Sequence, residues 1–219
     1  LPDGQVALMF TDVEGSTLLA ARLGERWPEV LATQRRLLRE EVVAHGGVEV
    51  DAAGDGLFFA FGGEQAAERA AAAAEGGQRR LAAVPWPDQA ELRVRIGIHV
   101  GRPLRGEDSY AGVEVHKAAR IADAANGGQV LCSRQTAERL PERTLRDLGE
   151  FRLKDLTAAE RLYLLELEGL PVDSRSPRSL NATNLPLQPL PLIGRAVEVK
   201  QAVELVERGV RLVTFTGAG

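Results

Sequence analysis

Two aspartates stand where apolar runs break off, and they are the residues best placed to do chemistry. Asp12 closes the run in "VALMFTDVEGST", and Asp55 lies in "DAAGDG" between "VEV" and "LFFAF". A carboxylate at the end of a core strand has two uses. It can tether a turn, with Ser16 or Thr17 capping the helix that follows. It can also deliver a metal ligand to a cleft while Gly15 lets backbone N–H groups approach a phosphate. Taken alone, the first stretch fits the turn better, and Asp-Gly at Asp55 and Gly56 is itself a common hairpin turn that needs no metal. If the two strands are sheet neighbours, however, the carboxylates converge on a shared cation. Magnesium suits such a pair, because it accepts one or two carboxylates and completes its shell with water and substrate phosphates.

The elements that must position these residues follow from periodicity. "QVALMF" reads as a strand, and residues 16–45 carry apolar side chains at helical spacing, with Pro28 restarting the helix and Gly46 and Gly47 stopping it. "VEV" and "LFFAF" make a hairpin with Asp55 and Gly56 at its tip. The Ala-rich stretch after Gly63 is helical, interrupted at Gly76 and Gly77 and ended by "PWP". "LRVRIGIHVG" is a strand, "VEVHKAARIADAAN" a helix, and "QVLCS", "TLRDLGEFRL" and "ERLYLLEL" are strands, with a short helix near Ala137. The alternation gives an α/β or α+β class.

From Gly169 the character changes, with Pro171, Pro177, Pro186, Pro189 and Pro191 breaking any regular element, so residues 169–192 read as an extended linker. Beyond it, "RAVEVKQAVELVERG" is helical and "VRLVTFTGAG" is a strand entering a glycine turn. That turn fits the start of a phosphate-binding loop and equally a plain glycine turn, since the lysine and hydroxyl of such a loop are absent.

At 219 residues and 44% hydrophobic, the chain can bury one sizeable core and part of another. No run approaches the roughly 20 apolar residues of a membrane span and no signal-peptide pattern opens the chain, so the expectation is a soluble, cytoplasmic protein without membrane contact. The 27 basic and 31 acidic residues are interspersed, which gives no footprint for direct nucleic-acid contact. Cys132 cannot form an intramolecular disulfide and serves as core filler.

Three stretches in order, "FTDVEGST", "AGDGLFFAF" and "YAGVEVHKAARIADAANGGQVLCS" after "VRIGIHVG", together resemble the class III adenylyl and guanylyl cyclase catalytic domain over about residues 5–167. The layout is similar to bacterial proteins in which such a domain precedes a P-loop ATPase and a helix-turn-helix regulator. That implies a cyclase domain at 1–168, the linker, and the start of an ATPase at 193–219. The implied fold is α+β, an α/β sandwich with a ferredoxin-like βαββαβ core and helices on a mainly antiparallel sheet.

The resemblance also implies roles. Asp12 and Asp55 hold two Mg²⁺ or Mn²⁺ ions, and the loop of Val13, Glu14, Gly15, Ser16 and Thr17 cradles phosphate through backbone N–H groups. Arg120 stabilises charge on the reacting phosphate, a task its planar fork suits, where an isolated helix arginine would simply be exposed. Lys154 falls near a phosphate-contacting lysine. The site forms between two chains of a homodimer, with the aspartates from one and the arginine from the other.

Three positions depart from the family pattern. Asp51 stands where a purine-selecting lysine is usual, Ser109 at that lysine's partner position, and His116 where an asparagine orients the ribose. Two readings follow. One is an adenylate cyclase that turns ATP into cyclic AMP and pyrophosphate. The other is a degenerate cyclase-homology domain that dimerises or binds nucleotide and regulates the attached ATPase. Retained Asp12, Asp55 and Arg120 favour the first, and the three departures favour the second.

Overall fold

The computed structural model describes residues 1–171, 174–179, 196–210 and 214. The chain divides into two compact units, Leu1–Ala182 and Thr183–Gly219. In the second, helix α6 (Ala196–Glu207) forms where helical spacing predicts it. The strand and glycine turn expected over 210–219 lie outside the described residues, apart from Val210 and Thr214. Among the described residues no helix is long and apolar enough to cross a membrane.

The first unit is an α+β fold built on one mainly antiparallel sheet. Strand β1 (Val6–Val13) lies inside it, antiparallel to β3 (Gly56–Gly62) on one side and to β4 (Val94–Gly101) on the other. β2 (Val48–Ala53) forms the edge beyond β3. Past β4 come β7 (Val130–Ser133), β9 (Glu160–Leu165) and β8 (Leu145–Phe151), giving the order β2-β3-β1-β4-β7-β9-β8. The β2-β3-β1-β4 portion is the expected βαββαβ core. A small separate hairpin, β5 (Leu104–Arg105) with β6 (Tyr110–Ala111), was not legible in the sequence, since two residues per strand carry no period.

Helices cover both faces. On one, α2 (Trp27–Ala44) and α3 (Ala66–Ala82) bury Leu37, Leu38, Val42, Ala70 and Ala74 against Ala7, Met9, Phe59, Phe61, Ile96 and Ile98. On the other, α4 (Val113–Ala124) sets Ala118 against Val6, Leu8, Phe58 and Ala60. Burial on both faces explains why β1 is apolar from Val6 to Phe10 rather than alternating. α4 is also the crossover between the parallel strands β4 and β7, and it lies very close to the sheet at Gly97. A Cβ there would come within 2.2 Å of the Ala122 backbone nitrogen.

The glycines expected to interrupt α3 do not, because the helix runs unbroken through Gly76 and Gly77. Their lack of a side chain is used for packing. A Cβ on Gly76 would meet the Glu41 carboxylate at 2.2 Å, and one on Gly77 the Leu38 side chain at 2.7 Å. A mid-helix glycine costs about 1 kcal/mol relative to alanine, a loss offset here by the approach of α2.

Candidate active site

The antiparallel register of β1 and β4 sets Asp12 directly opposite Arg95. Arg95 Nε donates to Asp12 Oδ2 at 2.7 Å, and a second guanidinium nitrogen reaches the same oxygen. The hairpin of β2 and β3 turns through Gly54 and Asp55, and the Val13 N–H donates to Asp55 Oδ2 at 3.0 Å. The two aspartates therefore meet. Burial raises the Asp12 pKa above the ordinary carboxylate value; the bond and charge of Arg95 oppose that rise, and the charge and hydrogen bond of Asp55 add to it.

A cleft of about 270 Å³ opens beside them, lined among others by Asp12, Asp51, Arg95 and Asp123. Asp51 belongs to this cleft because it is paired with Phe58, whose ring stacks on Phe10 with centroids 4.1 Å apart. Two touching carboxylates, with the pKa of Asp12 raised, form an all-oxygen donor pair whose repulsion a divalent ion would relieve, so the residues fit Mg²⁺ or Mn²⁺.

Helix α1 (Ser16–Leu23) begins next to the pair. Its N-cap is Gly15 in the left-handed region at φ 67°, a conformation that favours glycine, and no side chain caps it. Neither Ser16 nor Thr17 is therefore the cap, which corrects that alternative. The loop expected to cradle phosphate narrows as well. The Val13 N–H is committed to Asp55 and the Glu14 N–H donates to Arg93 O at 2.9 Å, which leaves Gly15, Ser16 and Thr17 as candidate donors. Burial acts to raise the Glu14 pKa, but the Gly127 N–H, the hydrogen bond and charge of Arg175 and the charge of Arg178 outweigh it and leave it lowered.

The remaining expected site residues do not line this cleft. Arg120 donates to Asp123 Oδ2 at 2.8 Å and to Asp155 Oδ2 at 2.5 Å. Lys154, which is exposed, immediately precedes Asp155 in the loop after β8. His116 is exposed one helical turn before Arg120, and Ser109 is exposed in the loop between β5 and β6, where its carbonyl accepts from the Gly106 N–H at 2.8 Å. Within one chain the site residues thus form an aspartate group around Asp12, Asp55 and Asp51, and a cationic group in which Asp155 links Arg120 to the loop of Lys154.

α4, which carries Arg120 and His116, is held by charges that the sequence reading passed over. Lys117 pairs with Glu160 at 2.7 Å, and both side chains are largely buried. His99 Nε2 bonds the Glu114 carboxylate, while Nδ1 lies 2.8 Å from Ser133 Oγ. Burial lowers the His99 pKa despite Glu114, so the neutral ring donates from Nε2 and accepts at Nδ1. Arg95 was missed too. A visible signal was its charge inside the mostly apolar "VRIGIHV", since a buried strand keeps a cation only where a partner faces it.

Comparison with known proteins agrees with this geometry. The profile for the adenylate and guanylate cyclase catalytic domain matches residues 2–166. The chain is 29% identical over 208 residues to an uncharacterized protein of Mycobacterium tuberculosis, spanning 90% of this chain and 70% of that one. It is 29% identical over 253 residues to the adenylate cyclase of Mycosarcoma maydis, covering 91% of this chain and 10% of that protein. Among solved structures, a Trypanosoma brucei adenylate cyclase in its monomeric state superposes with a TM-score of 0.71 at 25% identity, covering 83% of this chain and 97% of that one. The chain belongs to the adenylate and guanylate cyclase catalytic domain family.

Proposed function

We propose that this domain is a nucleotidyl cyclase acting on ATP. The ribose 3′-oxygen bonds to the α-phosphorus, the bond from that phosphorus to the bridging oxygen of pyrophosphate breaks, and the hydroxyl proton is released. The products are 3′,5′-cyclic AMP and pyrophosphate. The observation that carries the reading is the meeting of Asp12 and Asp55 at the mouth of a cleft, beside an uncapped helix start. Asp12 and Asp55 would hold two Mg²⁺ or Mn²⁺ ions, which supply charge neutralisation at the phosphates and a more acidic 3′-hydroxyl. The N–H groups of Gly15, Ser16 and Thr17 orient the phosphates. Asp51, on the cleft wall, accepts a hydrogen bond from the adenine amino group, and Ser109 completes base selection.

The cationic group acts from the other chain of a homodimer. Arg120 exchanges Asp155 for the reacting phosphate, Lys154 adds charge there, and His116 stands in for a ribose-orienting amide. Adenine is favoured by the names of the fungal and trypanosomal relatives, which are adenylate cyclases. Absence of a membrane-crossing helix among the described residues fits a cytoplasmic setting.

A second reading has its own support. Arg95 already neutralises Asp12, and Arg120 is engaged by two aspartates, as in a domain that has turned from catalysis to binding and regulates an attached ATPase. Incubating the protein with each of the four nucleoside triphosphates and Mg²⁺ or Mn²⁺, then searching for cyclic product by mass spectrometry, separates the two. Cyclic AMP supports the first, and nucleotide binding without any cyclic product supports the second.

A further inference from the structure

Residues 174–179, inside the expected linker, dock back on the first unit rather than leaving it. The Arg178 N–H donates to Ala124 O at 2.7 Å, and its guanidinium donates to Ala125 O at 2.8 Å. Asn126 Nδ2 reaches Ser176 O at 3.0 Å, and Gln129 Nε2 reaches Arg175 O at 2.9 Å. Backbone bonds and carbonyls at the C-terminal end of α4, where a cation is favoured, therefore fix the segment. Both arginine side chains then face Glu14 of the phosphate loop, Arg175 at 3.3 and 3.4 Å and Arg178 at 3.4 Å.

Two features distinguish this from a simple anchor. Contacts of 3.3–3.4 Å are long for guanidinium on carboxylate, where 2.7–2.9 Å is usual, and one carboxylate is shared between two cations. Both side chains are about half exposed; a turn of Arg178 toward a ligand gives up its bond to Ala125 O, while the bonds of the Arg178 N–H, Ser176 O and Arg175 O still hold the segment. Arg178 also senses the charges of Arg95 and Asp12. Its pKa is lowered first by burial, then by Arg95, while Glu14 and Asp12 pull the other way. An anion arriving beside Arg175 and Arg178 would be attracted by both guanidiniums.

We propose that Arg178, with Arg175 beside it, is a phosphate-binding residue of the cyclase site, held against Glu14 at rest and transferred to the terminal phosphates of a bound nucleoside triphosphate. The inference rests on the cyclase reading above and adds to it a site element contributed from outside the family's matched residues, 2–166.

The test is equilibrium binding of fluorescent mant-ATP and mant-AMP to the full chain with Mn²⁺, for wild type, Arg178→Ala, the Arg175→Ala/Arg178→Ala double variant, Arg178→Lys and Glu14→Gln. The double variant should bind mant-ATP about tenfold more weakly, with mant-AMP unchanged and a shallower salt dependence. Arg178→Lys should recover part of the loss, and Glu14→Gln should tighten mant-ATP by removing the competing carboxylate. Equal mant-ATP binding by wild type and the double variant overturns the inference and leaves the cyclase reading standing. Tighter binding by the double variant overturns it by making the segment an inhibitory clasp. If the double variant does not fold, unchanged or weaker binding by Glu14→Gln overturns it. A wild type that binds no mant-ATP removes the cyclase reading and this inference with it.

Discussion

The Val13 backbone N–H donates to Asp55 Oδ2 at 3.0 Å, a bond across 42 positions that ties the tip of one hairpin to the end of the central strand. It fixes Asp55 beside Asp12, and it separates two roles of one side chain. Asp55→Asn keeps an acceptor for Val13 but loses the charge, so metal-dependent turnover should vanish with little change in melting temperature. Asp55→Ala should lose turnover and also about 1 kcal/mol of stability. Turnover retained in Asp55→Asn would return Asp55 to a turn-forming role.

The division of site residues into an aspartate group and a cationic group makes a second prediction. Asp55→Ala and Arg120→Ala should each be inactive alone, and mixing them should restore part of the activity, because one of the two sites in a mixed dimer carries neither substitution. A demonstrably mixed dimer with no recovery would argue against a shared site.

His116 shares a helix face with Arg120 and is exposed, so nothing in the fold prevents exchange of the side chain. His116→Asn should raise turnover if the imidazole is a poor substitute for a ribose-orienting amide. An unchanged rate and an unchanged pH profile would take His116 out of the site.

The buried His99 predicts an acid sensitivity. Its folded pKa lies below the ordinary 6.5, mainly through burial, so the unfolded chain binds the proton first. The stability this group contributes is present above pH 6.5 and is lost as pH falls from there through the lowered folded value. Melting temperatures measured between pH 7.5 and 5.5 should fall further for wild type than for His99→Gln. Parallel curves would show that His99 does not titrate differently on unfolding.

Local features were legible in the sequence, and distant ones were not. The strand that carries Asp12 and the hairpin holding Asp55 were readable because period and turn residues lie within a few positions. The partner of Arg95 was not, since its tie to Asp12 depends on a register between positions 83 residues apart. Gly76 and Gly77 looked like breaks because local propensity cannot see α2 packed against them. Prolines marked the segment around Arg178 as irregular, which is correct. Its return to the C-terminal end of α4 depends on carbonyls of Ala124 and Ala125 that no pattern exposes.

Mass spectrometry of the products formed from ATP and Mn²⁺ by the full chain is the direct test of cyclase activity, with Asp12→Ala as the control. Wild type should yield 3′,5′-cyclic AMP and pyrophosphate in equal amounts, and Asp12→Ala neither. Absence of cyclic product from ATP at any enzyme concentration, or its undiminished formation by Asp12→Ala, would contradict it.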